Sequence, residues 1–70
     1  MNMNAERIFK IIMSELETDG LKMEEDLECV INSSMEINEK TIKIKELLSK
    51  IAINEVSIIK FKGMAENNND

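Results

Sequence analysis

Residues 38–62, NEKTIKIKELLSKIAINEVSIIKFK, decide the fold expected for this chain. The segment contains neither proline nor glycine, and its apolar residues recur at the three- and four-residue spacing of an α-helix. The pattern predicts one long helix from about residue 39 to residue 61 or 62, with Asn38 as its N-cap and Gly63 just beyond its end. Its main apolar stripe comprises Ile44, Leu47, Leu48, Ile51, Ile58 and Ile59.

The same helix carries a second apolar face on roughly its opposite side. A helix that is apolar nearly all round is expected to be buried nearly all round, and two short neighbouring helices can cover only about one side. The second face therefore predicts a partner-binding surface, although coverage by the N-terminal segment within the monomer is an equal alternative. Its candidate residues are Ile42, Ile53, Val56, Phe61 and Met64.

The N-terminal half predicts two shorter helices. The first is expected from about residue 4 to residue 18, with a buried face made of Ala5, Ile8, Phe9, Ile12 and Leu16. Asp19 and Gly20 are expected to end it, because glycine suits the left-handed conformation at a helix C-terminus; one kinked continuous helix is the alternative. The second is expected from about residue 21 to residue 33, with an apolar stripe of Met23, Leu27, Val30 and Ile31.

These elements predict an all-α fold, either a small helical hairpin or a three-helix bundle with two short helices and one long C-terminal helix. With 70 residues the chain has room for one domain, which we place at residues 1–65. Residues 66–70 are polar and are expected to form a disordered tail. A chain of this size is marginally stable alone and commonly needs a disulfide, a metal or a partner chain.

The composition argues against catalysis and against bound cofactors. There is one cysteine, Cys29, and no histidine, so an internal disulfide and the usual Cys/His zinc sites are excluded. The commonest general base is missing, and Cys29 lies among acidic residues that do not favour a reactive thiolate. Gly20 and Gly63 stand alone and make no phosphate-binding loop. We predict no enzyme activity, no small-molecule substrate, no cofactor and no metal.

Charge and hydropathy limit the classes of partner. The net charge is −5, and residues 1–36 carry nine acidic against three basic residues, whereas residues 37–70 carry five against six. This balance, with two aromatic residues in the whole chain, disfavours nucleic-acid binding. No apolar run approaches the roughly 20 residues of a membrane span, and a free cysteine without a signal sequence fits a cytoplasmic location.

We therefore predict a non-enzymatic protein-interaction module, of the adaptor, co-chaperone or inhibitor type. It is expected to act as a homo-oligomer or as a subunit of a heteromer, through an apolar face of the long helix. A first alternative is an acidic regulator that blocks a nucleic-acid-handling protein through a face made of Glu15, Glu17, Asp19, Glu24, Glu25 and Glu28. A second alternative, by analogy of size and helicity alone, is a small secretion-type chaperone.

Overall fold

The computed structural model describes residues 3–67, which form two long α-helices and no strand. Helix α1 spans Met3–Ile31 and helix α2 spans Ile37–Asn67. The helices pack against each other as an antiparallel hairpin that measures 52 × 15 × 11 Å. The all-helical prediction is confirmed. The expected pair of short N-terminal helices is wrong, because α1 runs through both of their ranges without a break.

Gly20 explains why the predicted break at Asp19 is absent. Neither glycine has a positive φ, so Gly20 keeps the ordinary right-handed helical conformation and does not end the helix. It is instead a point of close contact with α2: a Cβ atom built on Gly20 would lie 2.7 Å from Oδ1 of Asn54. The glycine therefore serves helix packing, and the prediction that it ends a helix is wrong.

A continuous row of residues on α2 forms its side of the interface between the helices. The row repeats with alternating steps of four and three residues, which is the spacing of the packed seam of two antiparallel helices. Its members are partly or fully buried, and we call them, with their counterparts on α1, the seam. On α2 the seam comprises Lys40, Ile44, Leu47, Ile51, Asn54, Ile58, Phe61 and Ala65.

The α1 side of the seam has the same three- and four-residue spacing, and Gly20 occupies its centre. It comprises Ala5, Phe9, Ile12, Leu16, Gly20, Met23, Leu27 and Val30, all of them half-buried. Most of the predicted apolar stripes are therefore correct. Two residues were misplaced, because Ile8 and Ile31 are exposed and lie beside the seam. On α2 the same correction applies to Leu48 and Ile59.

The connection between the helices, residues 32–36, is held by side chains near the helix ends. The Glu36 carboxylate accepts hydrogen bonds from the backbone N–H groups of Asn38 (3.2 Å) and Glu39 (3.4 Å). Glu36 thus satisfies amide groups at the start of α2, the role predicted for Asn38, which lies one residue inside the helix. Across the turn, the Lys40 ammonium group donates to the Ile31 carbonyl (2.9 Å), where it opposes the partial negative charge at the end of α1.

Helix α2 continues past its predicted end at Gly63. Glycine costs a helix interior only about 1 kcal/mol relative to alanine, and nothing lies within 4 Å of a Cβ atom at this position. The helix therefore extends to Asn67. Of the tail predicted at residues 66–70, Glu66 and Asn67 lie in the last turn of α2, and residues 68–70 are outside the described part of the chain.

Candidate association surface

The hairpin encloses no apolar core within its described residues. Asn54, which is 8% exposed, is the one buried side chain there, and no apolar side chain reaches that degree of burial. Eleven large apolar residues of the described part are half exposed or more. A helix pair can bury one stripe of each helix, and the remaining apolar surface has no cover within residues 3–67. This uncovered surface is the feature that a functional account must explain.

The side of α2 roughly opposite the seam carries a second row of regularly spaced residues, of which Ile53 also borders a groove between the helices. From residue 42 to residue 60 its steps alternate between four and three residues, as in the seam, so its members share one face of the helix. All of them are exposed, with Ile53 67% and Val56 61% accessible. We call this row the outer stripe; it comprises Ile42, Glu46, Ser49, Ile53, Val56, Lys60 and Met64.

Four of the five predicted partner-binding residues lie in the outer stripe, and Phe61 does not. The Phe61 ring packs against the Phe9 ring of α1, with centroids 4.7 Å apart and planes tilted by 47°. This is a favourable aromatic geometry, and it places Phe61 in the seam of the hairpin. The spacing placed Phe61 with the second face of α2, whereas in the structure its ring lies against Phe9 of α1.

A further pair of exposed apolar residues lies on a different side of α2. Leu48 and Ile59 are 11 residues apart, close to three full helical turns, so they share one direction. Lys50 and Ser57, each two residues away from one of them, line the opposite side, beside the grooves between the helices. We call Leu48 and Ile59 the flank pair. Because Ile59 is 71% exposed, it matches Ile53 in residue type and accessibility but differs in direction.

Asn54 is the most enclosed residue of the described chain, and its burial was not predicted. Its Nδ2 atom donates a hydrogen bond of 2.9 Å to the carbonyl oxygen of Leu16, a contact that the missing side chain of Gly20 makes possible. The available signal was the gap in the main stripe between Ile51 and Ile58, which Asn54 fills at the three–four spacing. A polar residue in such a row fixes which residues of the two helices lie level with each other. It therefore also fixes which side of α2 faces outward.

The grooves beside the seam are open to solvent, and in the described part of the chain they offer no enclosed site for a small molecule. One of them is lined by Asp26, Cys29, Lys43 and Lys50, among others. Cys29 is a free, exposed thiol. Within residues 3–67, no group of three or more His, Cys, Asp or Glu side chains is arranged to hold a metal ion.

The acidic residues of α1 are spread over its exposed surface. Each of the six residues predicted as a possible acidic binding face is exposed: Glu15, Glu17, Asp19, Glu24, Glu25 and Glu28. At 100° per residue, Glu15 and Asp19 share one side of α1, whereas Glu17, Glu24 and Glu28 share another. The acidic charge is therefore divided between two sides of the helix.

Comparison with protein-family models, with curated proteins and with solved structures found no match to this chain. Neither described helix is apolar enough along its length to qualify as a membrane span.

Proposed function

We propose that this chain is a non-enzymatic association module, which binds a protein partner through the outer stripe of α2. The observation that supports the proposal is that no apolar side chain among residues 4–66 is buried, while Ile42, Ile53, Val56 and Met64 are exposed on one side of α2. Covering such a row with another protein surface stabilises it by about 25 cal/mol for each Å² of apolar area removed from water. A row of this kind is suited to helix-against-helix or helix-in-groove binding.

The test is sedimentation equilibrium of the purified chain over a range of concentrations, with circular dichroism on the same samples. The wild-type chain is expected to form a discrete oligomer whose helicity falls on dilution, because folding and association are coupled. The double substitution Ile53→Asp with Val56→Asp is expected to abolish association. The matched control is Leu48→Asp with Ile59→Asp, which adds the same charge to the flank pair and is expected to leave association intact.

Two results would count against the proposal. Unchanged association in the Ile53/Val56 variant would show that the outer stripe is misassigned. A wild-type chain that is helical and monomeric at every concentration would remove the main support for an association surface.

The salt dependence of binding distinguishes this proposal from the alternative, an acidic regulator that binds through α1. Contacts between apolar helix faces are expected to persist at about 1 M salt, where the Debye length is about 3 Å. A contact made through the acidic residues of α1 is expected to weaken steeply over the same range. The division of those residues between two sides of α1 gives this alternative less support than the continuous outer stripe gives the first.

A further inference from the structure

Five of the seven residues of the outer stripe match when the stripe is reversed about Ile53; the other two, Ser49 and Val56, lie four residues before and three residues after it, so they are nearly level with each other. Ile42 and Met64 lie 11 residues before and after Ile53, and both are apolar. Glu46 and Lys60 lie seven residues before and after it, and their charges are opposite. All five side chains are exposed on α2. A two-fold axis brings the same patch of both subunits together, so a residue before the axis meets the residue that lies equally far after it.

We propose that the partner is a second copy of this chain, bound through antiparallel α2 helices with the two-fold axis at Ile53. In this arrangement Ile53 meets its own copy, and Ile42 lies against Met64 of the second copy at both ends. Glu46 lies against Lys60 of the second copy, also twice. This inference rests on the proposed function, because it names the partner for the same surface.

Charge selects the antiparallel orientation over the parallel one. A parallel alignment in register would bring Glu46 to Glu46 and Lys60 to Lys60, which are like-charge contacts. The antiparallel alignment replaces both by pairs of opposite charge. The contacts are exposed and contribute little affinity, so their effect is on orientation, whereas the apolar residues supply the binding.

The orientation can be read by disulfide crosslinking in a Cys29→Ser background, which removes the exposed native thiol. A disulfide needs Cα atoms within about 7 Å. In the proposed dimer the two copies of residue 42 are about 33 Å apart, because 22 residues separate them at 1.5 Å each. Residue 42 of one copy lies at the same position along the dimer axis as residue 64 of the other copy, directly opposite it. Oxidation and non-reducing electrophoresis then distinguish the arrangements.

Three cysteine variants give the expected pattern. The variant I53C is expected to crosslink to itself. The variants I42C and M64C are each expected to remain uncrosslinked alone and to crosslink when mixed. The control I59C carries an equally exposed cysteine on the flank pair and is expected to remain uncrosslinked. Circular dichroism of each variant verifies that the hairpin is folded.

A charge exchange tests the same geometry without cysteines. The substitution E46K is expected to weaken dimerisation about tenfold at low salt, because two attractive contacts become repulsive, and the effect is expected to shrink as salt is added. The double substitution E46K with K60E is expected to restore wild-type dimerisation. In a parallel dimer the second substitution would give no recovery.

The outcomes separate this inference from the proposed function. Crosslinking of I42C alone, together with failure of the charge exchange, would overturn the antiparallel arrangement but keep the outer stripe as the association surface. An oligomer in which neither I53C nor the mixture of I42C and M64C crosslinks would overturn both. A chain that stays monomeric at all concentrations would overturn the second copy as the partner and would remove the main support for the proposed function.

Discussion

The substitution Gly20→Ala tests the contact that sets the register of the hairpin. In an ordinary helix interior, alanine is more favourable than glycine by about 0.8–1 kcal/mol. At Gly20 the added methyl group would lie 2.7 Å from Oδ1 of Asn54, closer than side-chain atoms tolerate. The Asn54 side chain must therefore move, although it is 8% exposed and hydrogen-bonded to the Leu16 carbonyl.

The magnitude follows from two opposing effects. Displacing the Asn54 amide from its partner leaves a buried donor unsatisfied, which costs about 1–3 kcal/mol. The gain in helix propensity offsets about 1 kcal/mol of that cost. The Gly20→Ala variant is therefore expected to range from nearly neutral to about 2 kcal/mol less stable than the wild-type chain.

Gly63 supplies the matched control. It is also an interior glycine of a helix, and nothing lies within 4 Å of a Cβ atom there. Gly63→Ala is expected to raise the free energy of unfolding by up to about 1 kcal/mol. The two variants should thus differ by about 1–3 kcal/mol, or roughly 1–3 M in urea midpoint for a small domain.

The assay is urea unfolding followed by circular dichroism at one protein concentration, because association would otherwise shift the midpoint. An Asn54→Ala background completes a double-mutant cycle. In that background the obstructing amide is absent, so Gly20→Ala is expected to be stabilising, as at Gly63. Equal stabilisation by Gly20→Ala and Gly63→Ala in the wild-type background would refute the reasoning.

Two further substitutions test the seam and the turn. Phe61→Leu removes the tilted ring pair with Phe9 and is expected to lower the free energy of unfolding by about 0.5–1.5 kcal/mol. Dimerisation through the outer stripe is expected to be retained when the variant is folded. If sedimentation showed a loss of association in fully helical samples, Phe61 would belong to the binding surface. Lys40→Met removes the hydrogen bond to the Ile31 carbonyl and is expected to lower the free energy of unfolding in urea by about 0.3–1 kcal/mol, with a smaller effect at high salt. A loss of stability that does not depend on salt would show that packing of the lysine stem, and not its charge, is responsible.

The periodicity of the sequence was sufficient for the all-helical class and for most of the seam, but not for the number of helices. Apolar residues such as Leu16, Met23, Ile44 and Ile51 occupy the predicted inner faces because burial follows the three–four spacing directly. The uncovered face of α2 could also be predicted, because Ile42, Ile53, Val56 and Met64 are apolar but lie outside the main stripe of the helix. Whether this face binds a partner stays a prediction.

The sequence by itself therefore determined that the chain is helical and that α2 has more apolar surface than a small neighbour can cover. Only the tertiary structure decided that Gly20 is a packing position and not a turn, that Asn54 is buried, and that Phe61 faces Phe9. Each of these depends on which residues of α1 and α2 lie level with each other. Local propensity carries no information about the register of the two helices. The register is set by contacts between residues about 35–50 positions apart, such as the hydrogen bond from Asn54 to Leu16, 38 residues away in the chain.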